Sequence, residues 1–282
     1  MRHGIVLFTS DRGITPAQAA KAAEDAGFDT LYVPEHTHIP VKRDAAHPGT
    51  GDETLPDDRY MRTLDPWVSL ATAAAVTERI GLSTAVALPV ESDPITLAKT
   101  IATLDHLSGG RVTVGAGFGW NTDELTDHHV PAAKRRTVLR EYLEAMRALW
   151  TQEEASYDGE FVSFGASWAW PKPAQGTVPV IIGAGAGPKT FAWIAAHADG
   201  WMTTPIETDI ADKAKQLHEA WAEAGRDGAP DIRVLVTFKP SPEDIAGWAA
   251  AGVTELIWGL PDKDADEVVA FIGRHGARLG LS

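Results

Sequence analysis

The hydrophobic and polar positions of the chain alternate between short apolar runs and longer segments with apolar residues at helical spacing. Gly4–Thr9 (GIVLFT) is apolar throughout, the pattern of a strand buried on both faces. Thr15-Pro16-Ala17-Gln18 then opens a helix. Thr15 caps it, Pro16 takes the first helical position, Gln18 completes a capping box, and Gly27 stops it. The same unit recurs down the chain. Strands are predicted at Thr30–Pro34, Ile80–Leu88, Arg111–Val114, Val178–Ile182, Asp199–Thr204, Ile232–Phe238 and Glu255–Leu260. Helices follow them, with starts such as Asp65-Pro66, Asp93-Pro94 and Ser241-Pro242, and Pro131–Trp150 is the longest. Strict alternation implies a parallel sheet. Eight such units close most naturally into an α/β fold of the (β/α)₈ TIM-barrel type, a single domain over residues 1–282. A doubly wound open sheet is the competing arrangement, but no G-x-G-x-x-G follows the first strand.

Two insertions interrupt the alternation, at about 37–64 after strand two and 157–176 before strand five. Segments this long in a compact domain usually cover a functional site. The first is rich in Pro, Gly and charge. The second holds Phe161, Phe164, Trp168 and Trp170, and its EFVSF alternation fits a short hairpin strand.

Composition narrows the chemistry. The formal charge of −14 argues against nucleic acid or an anionic membrane face as partner. No apolar run is long enough for a signal peptide or a membrane span, so a cytoplasmic protein acting on a small molecule is expected. The absence of cysteine excludes disulfides, thiolate nucleophiles and Cys-ligated metals. No G-x-S-x-G elbow supports acyl transfer. His36 and His38 form an H-x-H, but the other histidines do not complete a ligand shell, so no metal is expected.

In a barrel, reactive groups lie just beyond the strand C-termini. That filter selects Phe8-Thr9, Glu35-His36, Ala85-Val86, Gly117–Glu124, Gly183–Gly187, Thr203-Thr204, Lys239 and Trp258. The alternate glycines Gly115, Gly117 and Gly119 leave one side of the backbone bare, which suits either a flat ligand or tight packing. Gly183-Ala184-Gly185-Ala186-Gly187 leads into a helix, the setting of a phosphate cradle or of a plain tight turn. His36 suits acid/base work near neutrality, with Glu35 beside it to orient it. Trp120, Trp168 and Trp170 could wall an aromatic pocket or pack the insertion, with His38 and Tyr60 also assigned to the substrate pocket.

These residues carry a resemblance. LAKTIATLDHLSGGRVTVGAGFGWNTDE, VPVIIGAGAGPKTFAWIAAHADGW and AGFDTLYVPEHTH together resemble the bacterial luciferase-like flavin and deazaflavin oxidoreductases, across essentially the whole chain. The pattern looks most like the branch that uses the deazaflavin coenzyme F420, with FMN as the alternative cofactor. The resemblance implies a non-prolyl cis peptide at Ala85–Val86 behind the cofactor ring. It implies Glu35 and His36 at the reacting edge, and Phe8, Gly117, Trp120, Asp123 and Thr203 around the cofactor. Gly183, Ala184, Gly185, Ala186 and Gly187 would take its phosphate. Some sugar-phosphate dehydrogenases of the branch carry a carboxylate where Trp120 aligns, which counts against such a substrate here. The expected activity is hydride exchange between F420 and a small organic substrate. The rival readings are an FMN monooxygenase, a flavin-binding protein without catalysis, and a metal hydrolase using His36 and His38. Relatives often form homodimers through barrel helices.

Overall fold

The computed structural model describes residues 1–204 and 207–281. Its strands are β1 (Arg2–Val6), β2 (Thr30–Val33), β3 (Gly81–Thr84), β4 (Val112–Gly117), β5 (Ala155–Asp158), β6 (Ser163–Ser167), β7 (Val180–Gly183), β8 (Gly200–Met202), β9 (Asp231–Val236) and β10 (Glu255–Gly259). All but β5 and β6 form a closed parallel barrel in the order β1-β10-β9-β8-β7-β4-β3-β2. β5 and β6 pair with each other as an antiparallel hairpin in the second insertion. The helices are α1 (Pro16–Asp25), α2 (Pro66–Ala74), α3 (Pro94–Ser108), α4 (Thr122–Asp127), α5 (Arg135–Thr151), α6 (Pro188–His197), α7 (Ile210–Glu223), α8 (Pro242–Ala250) and α9 (Ala265–Leu279). No helix among the described residues is long and apolar enough to cross a membrane.

The local signals act as the sequence implies. Thr15 and Gln18 form the capping box of α1, and the Asp65 and Asp93 side chains accept from the N3 amides of α2 and α3. Alternate strand residues then separate two cores. Leu31, Val33, Leu82, Val114 and Ile182 pack outward against the helices, whereas Tyr32, Ile181, Met202 and Ile257 fill the barrel. Beside Tyr32, the buried Arg233 donates to its hydroxyl at 2.8 Å and pairs with Asp231 at 2.6 Å.

Two boundaries depart from expectation for a shared reason. β3 stops at Thr84 rather than Leu88, because the Ala85–Val86 peptide is cis and the chain bulges, with a single further bridge from Ala87 to Ala116. β4 runs on through Gly115–Gly117 instead of ending at Val114. The glycines make room for that bulge. A Cβ on Gly115 would lie 1.9 Å from the Thr84 carbonyl oxygen, one on Gly117 2.7 Å from Val86 Cγ2, and one on Gly183 2.4 Å from Val86 Cγ1. The bare backbone is thus filled by the protein itself, and the Val86 side chain lies across the top of β4 and β7.

A methyl group at these positions has nowhere to go. Gly115→Ala and Gly183→Ala are each expected to cost about 1–3 kcal/mol or more in denaturant unfolding. Gly259→Ala, with nothing within 4 Å of its added Cβ, is expected to stay within about 0.5 kcal/mol. Equal stability of all three proteins would contradict the seating of Val86.

Candidate active site at the barrel rim

Beyond β2 the chain crosses the rim as Pro34-Glu35-His36-Thr37. Glu35 is tied to the bulge on both sides of its backbone. Its N–H donates to Val86 O at 3.1 Å, and its Oε2 accepts from Leu88 N–H at 2.5 Å. Burial pushes its carboxyl up to about 7, with Asp65 and Glu124 adding to the rise and the Leu88 amide opposing it. The expected catalytic pair therefore divides. Glu35 is engaged by the bulge through Leu88, and His36 by Glu124.

His36 is fixed by Glu124, a residue of α4. Its Nδ1 lies 2.8 Å from Glu124 Oε2, and both side chains are buried. Glu124 Oε1 accepts from the Thr37 N–H at 2.9 Å, and the Asn121 side-chain amide reaches Oε2 at 3.3 Å. Burial works against ionisation of Glu124, but the His36 and backbone hydrogen bonds hold its carboxyl below the usual range. An ionised carboxylate can only accept, so Nδ1 of His36 carries a hydrogen, and in the neutral ring Nε2 is the acceptor. Glu91 completes a buried acid group. Burial, followed by the charges of Glu124 and Glu35, pushes its carboxyl up to about 9.

The first insertion folds over this rim. Asp123 Oδ2 accepts from the amides of Asp44 and Ala45 at 3.0 and 2.9 Å and so anchors this insertion to the rim. Trp120 meets His36 edge-on at 5.6 Å and His47 at 4.9 Å. Tyr60 packs on His36 and Phe8, and its hydroxyl is 2.9 Å from His47 Nε2. His47 Nδ1 accepts from Gly49 N–H, so Nε2 bears the hydrogen and donates to the Tyr60 oxygen. His38 turns outward to Asp127 at 2.9 Å. Thr203 Oγ1 accepts from Leu235 N–H and stitches β8 to β9.

Trp168 and Trp170 lie elsewhere. Trp168 sits beside Ile95, Ala98 and Lys99 on the outer ring of helices, and the two rings are 73% and 60% exposed. The hairpin that carries them docks beside α5 and α3 instead of arching over the mouth, so the expected aromatic wall reduces to Trp120. Glu124, Glu91 and His47 are site residues the sequence reading did not single out. Asn121 and Glu124, three residues apart, had the spacing of a helix start, and α4 begins there with Asn121 accepting from Glu124 N–H.

The glycine loop after β7 carries an anion already. Ala186 N–H donates to Glu207 Oε1 at 2.8 Å, at the N-terminal end of α6. Beside it, Gly187 has open space where a Cβ would stand, and Gly185 faces only the Glu207 carboxylate. The Ala184 carbonyl accepts from Trp201 Nε1 at 2.8 Å. On α6 itself, the buried Thr190 Oγ1 accepts from Arg136 Nη2 of α5 at 3.1 Å.

A closed parallel barrel with a histidine–carboxylate pair, a bulged third strand and an anion-holding glycine loop at one rim defines a (β/α)₈ protein built around that rim. The chain belongs to the luciferase-like monooxygenase family, whose model matches residues 15–275. It is 68% identical over 279 residues to the uncharacterized protein Rv0953c of Mycobacterium tuberculosis, covering 99% of both chains. It is 28% identical over 267 residues to the F420-dependent hydroxymycolic acid dehydrogenase of the same organism, covering 92% of this chain and 68% of that one. Among solved structures, an F420-dependent secondary alcohol dehydrogenase in complex with an F420-acetone adduct matches with a TM-score of 0.75 at 19% identity, over 99% and 98% of the chains. The monooxygenase RslO1 from Streptomyces bottropensis matches with 0.74 at 20%, over 99% and 100%. At such identities the structural matches establish the fold alone.

The acid group gives the protein a pH signature. Carboxyls raised from 4.5 to about 7 (Glu35) and about 9 (Glu91) favour the folded state in acid and lose that contribution as pH rises through those values. Unfolding free energy should therefore fall from about pH 5 to pH 9, and Glu91→Gln should flatten the upper part of that slope. Urea titrations at a series of pH values check this, and an unchanged slope in the variant would refute the assignment.

Proposed function

We propose that the protein is an F420-dependent oxidoreductase that exchanges hydride with a small organic substrate at the barrel rim. The observation that carries this reading is His36, held through Nδ1 on the buried Glu124 so that the neutral ring offers Nε2 as a base. The F420-dependent dehydrogenase among its relatives supports the choice of cofactor.

The residues present fit such a group. The Glu207 carboxylate on Ala186 N–H is a stand-in anion, so the loop that would hold the phosphate already binds negative charge. Val86, held over Gly117 and Gly183, would back the ring, with Trp120 and the lid closing the other side. When bound, the deazaflavin supplies the hydride chemistry. His36 Nε2 would take or return the proton of the substrate oxygen, while Glu124 stabilises the imidazolium that forms. Tyr60 receives its hydrogen bond from His47, which leaves its own proton free to orient a substrate oxygen. The lid over the rim, pinned by Asp123, would exclude water.

Fluorescence titration of the purified protein with F420 and with FMN tests the reading directly. Tight F420 binding is expected, and binding of FMN alone would overturn it. Glu207→Gln should tighten F420 binding, because the phosphate then displaces no charged competitor. An unaltered or weaker affinity would argue against phosphate at Ala186. His36→Gln should keep the affinity for F420 and lower turnover by about 10²–10⁴-fold, read as kcat on any substrate found by screening small alcohols and ketones.

A further inference from the structure

His36 is buried against an acid that is itself buried, so a proton taken at the rim needs a way out. Glu124 and Glu91 expose no side-chain surface, and Glu91 Oε1 has no hydrogen-bond partner among the described residues. The Thr37 hydroxyl joins this acid pair to the exterior. It lies 3.3 Å from Glu124 Oε1 and 3.4 Å from Glu91 Oε2 on the inner side, and 2.7 Å from His128 Nε2 and 3.0 Å from His38 Nδ1 on the outer side. His128 is also 4.0 Å from Glu91 Oε2. Glu91 and His128 line a polar cavity of about 470 Å³ on the flank of the barrel, beside Ser92 and Tyr142 and away from the lid. His38 meets the exposed Asp127.

We propose that Glu124, Glu91 and Thr37 form a proton relay that connects His36 to solvent through His128 and the flank cavity. The inference rests on the reading of His36 as the group that meets substrate, and it adds positioning residues and an exit that the reading does not contain. The proton balance is simple. A proton arrives at His36 Nε2, the Nδ1 proton passes to the carboxylate of Glu124, and the acid pair then holds one proton more. The pair shares that proton, the Thr37 hydroxyl accepts one from Glu91 Oε2, and it releases its own to the imidazole of His128. His128 gives it to water, and His36 is left neutral with its proton on the other nitrogen until the ring or the chain of hydrogen bonds resets. A hydroxyl can donate once and accept twice, so Thr37 cannot satisfy all its neighbours together. That surplus of partners suits a group that passes a proton between them. Glu91 serves as the reservoir, because a carboxyl held neutral beside an ionised one keeps a proton available.

The test needs neither cofactor nor substrate, so it stands apart from the cofactor titration. In protein labelled with ¹⁵N-histidine, NMR follows exchange of the His36 Nδ1 proton with water, assigned with His36→Gln. Thr37→Val should slow that exchange by about 100-fold, the scale for loss of one positioned proton carrier, and Thr37→Ser, which keeps the hydroxyl, should restore it. Glu91→Gln should slow it as well and weaken the protonated-carboxyl band of the infrared spectrum at neutral pH, to which Glu35 also contributes. Exchange unaffected by Thr37→Val, or slowed equally by Thr37→Ser, would overturn the relay. So would an infrared band that Glu91→Gln leaves undiminished.

Discussion

The candidate site depends on one buried carboxylate. Glu124 receives the imidazole of His36, the amide of Thr37 and the side chain of Asn121. An ion in that position is costly to desolvate, and only the converging donors keep it charged. The loop after β2 is thus folded around an anion. Because α4 supplies the anion and β2 leads into the loop, the hydrogen bonds also join the rims of β2 and β4 across β3. Removing the carboxylate would free the ring of His36 and the backbone beneath the lid together.

The same rim shows why glycine spacing is ambiguous evidence. Gly115 and Gly117 in β4 and Gly183 in β7 lack side chains because Thr84 and Val86 occupy that space. The glycines bear on any ligand only through Val86, whose position they permit. Glu35 completes the arrangement from β2 through the Leu88 amide. The bulge, the glycines and Glu35 form one packing unit, and the binding and packing readings of this segment describe two faces of it.

The barrel was legible because its signals are local and repeated. Apolar runs, caps such as Thr15 and Asp93, and glycine stops mark each unit, and eight units admit few closures. The rim position of His36 and Trp120 followed from counting. What escaped depends on long-range geometry. A helix of six residues has no period to read, so α4 falls unmarked at the end of the Gly117–Glu124 rim segment. Glu91 follows a chain reversal that begins at the Ala85–Val86 bulge, and nothing in its neighbours announces burial. Trp168 and Trp170 were misplaced for the opposite reason. Their aromatic character is plain, but composition does not say on which side of the barrel a hairpin docks.

Three carboxyl groups gathered within one hydrogen-bonded region are a poor choice for stability alone. Burial opposes ionisation of each, and the charges of Glu35 and Glu124 both raise Glu91. An apolar residue in place of Glu91 would remove one of those penalties and leave the barrel's apolar cores intact. Glu124 is explained by His36, and Glu35 by Leu88. Glu91 has no comparable donor, since its Oε2 reaches Thr37 only at 3.4 Å and its other side-chain contact is the Glu124 carboxyl, which raises it further. A buried acid kept neutral, poorly satisfied and bordered by imidazoles on its outer side has the form of a group retained for moving protons. The energetic cost of the region and the chain of hydrogen-bonding groups that links His36 to His128 both fit the proposed relay.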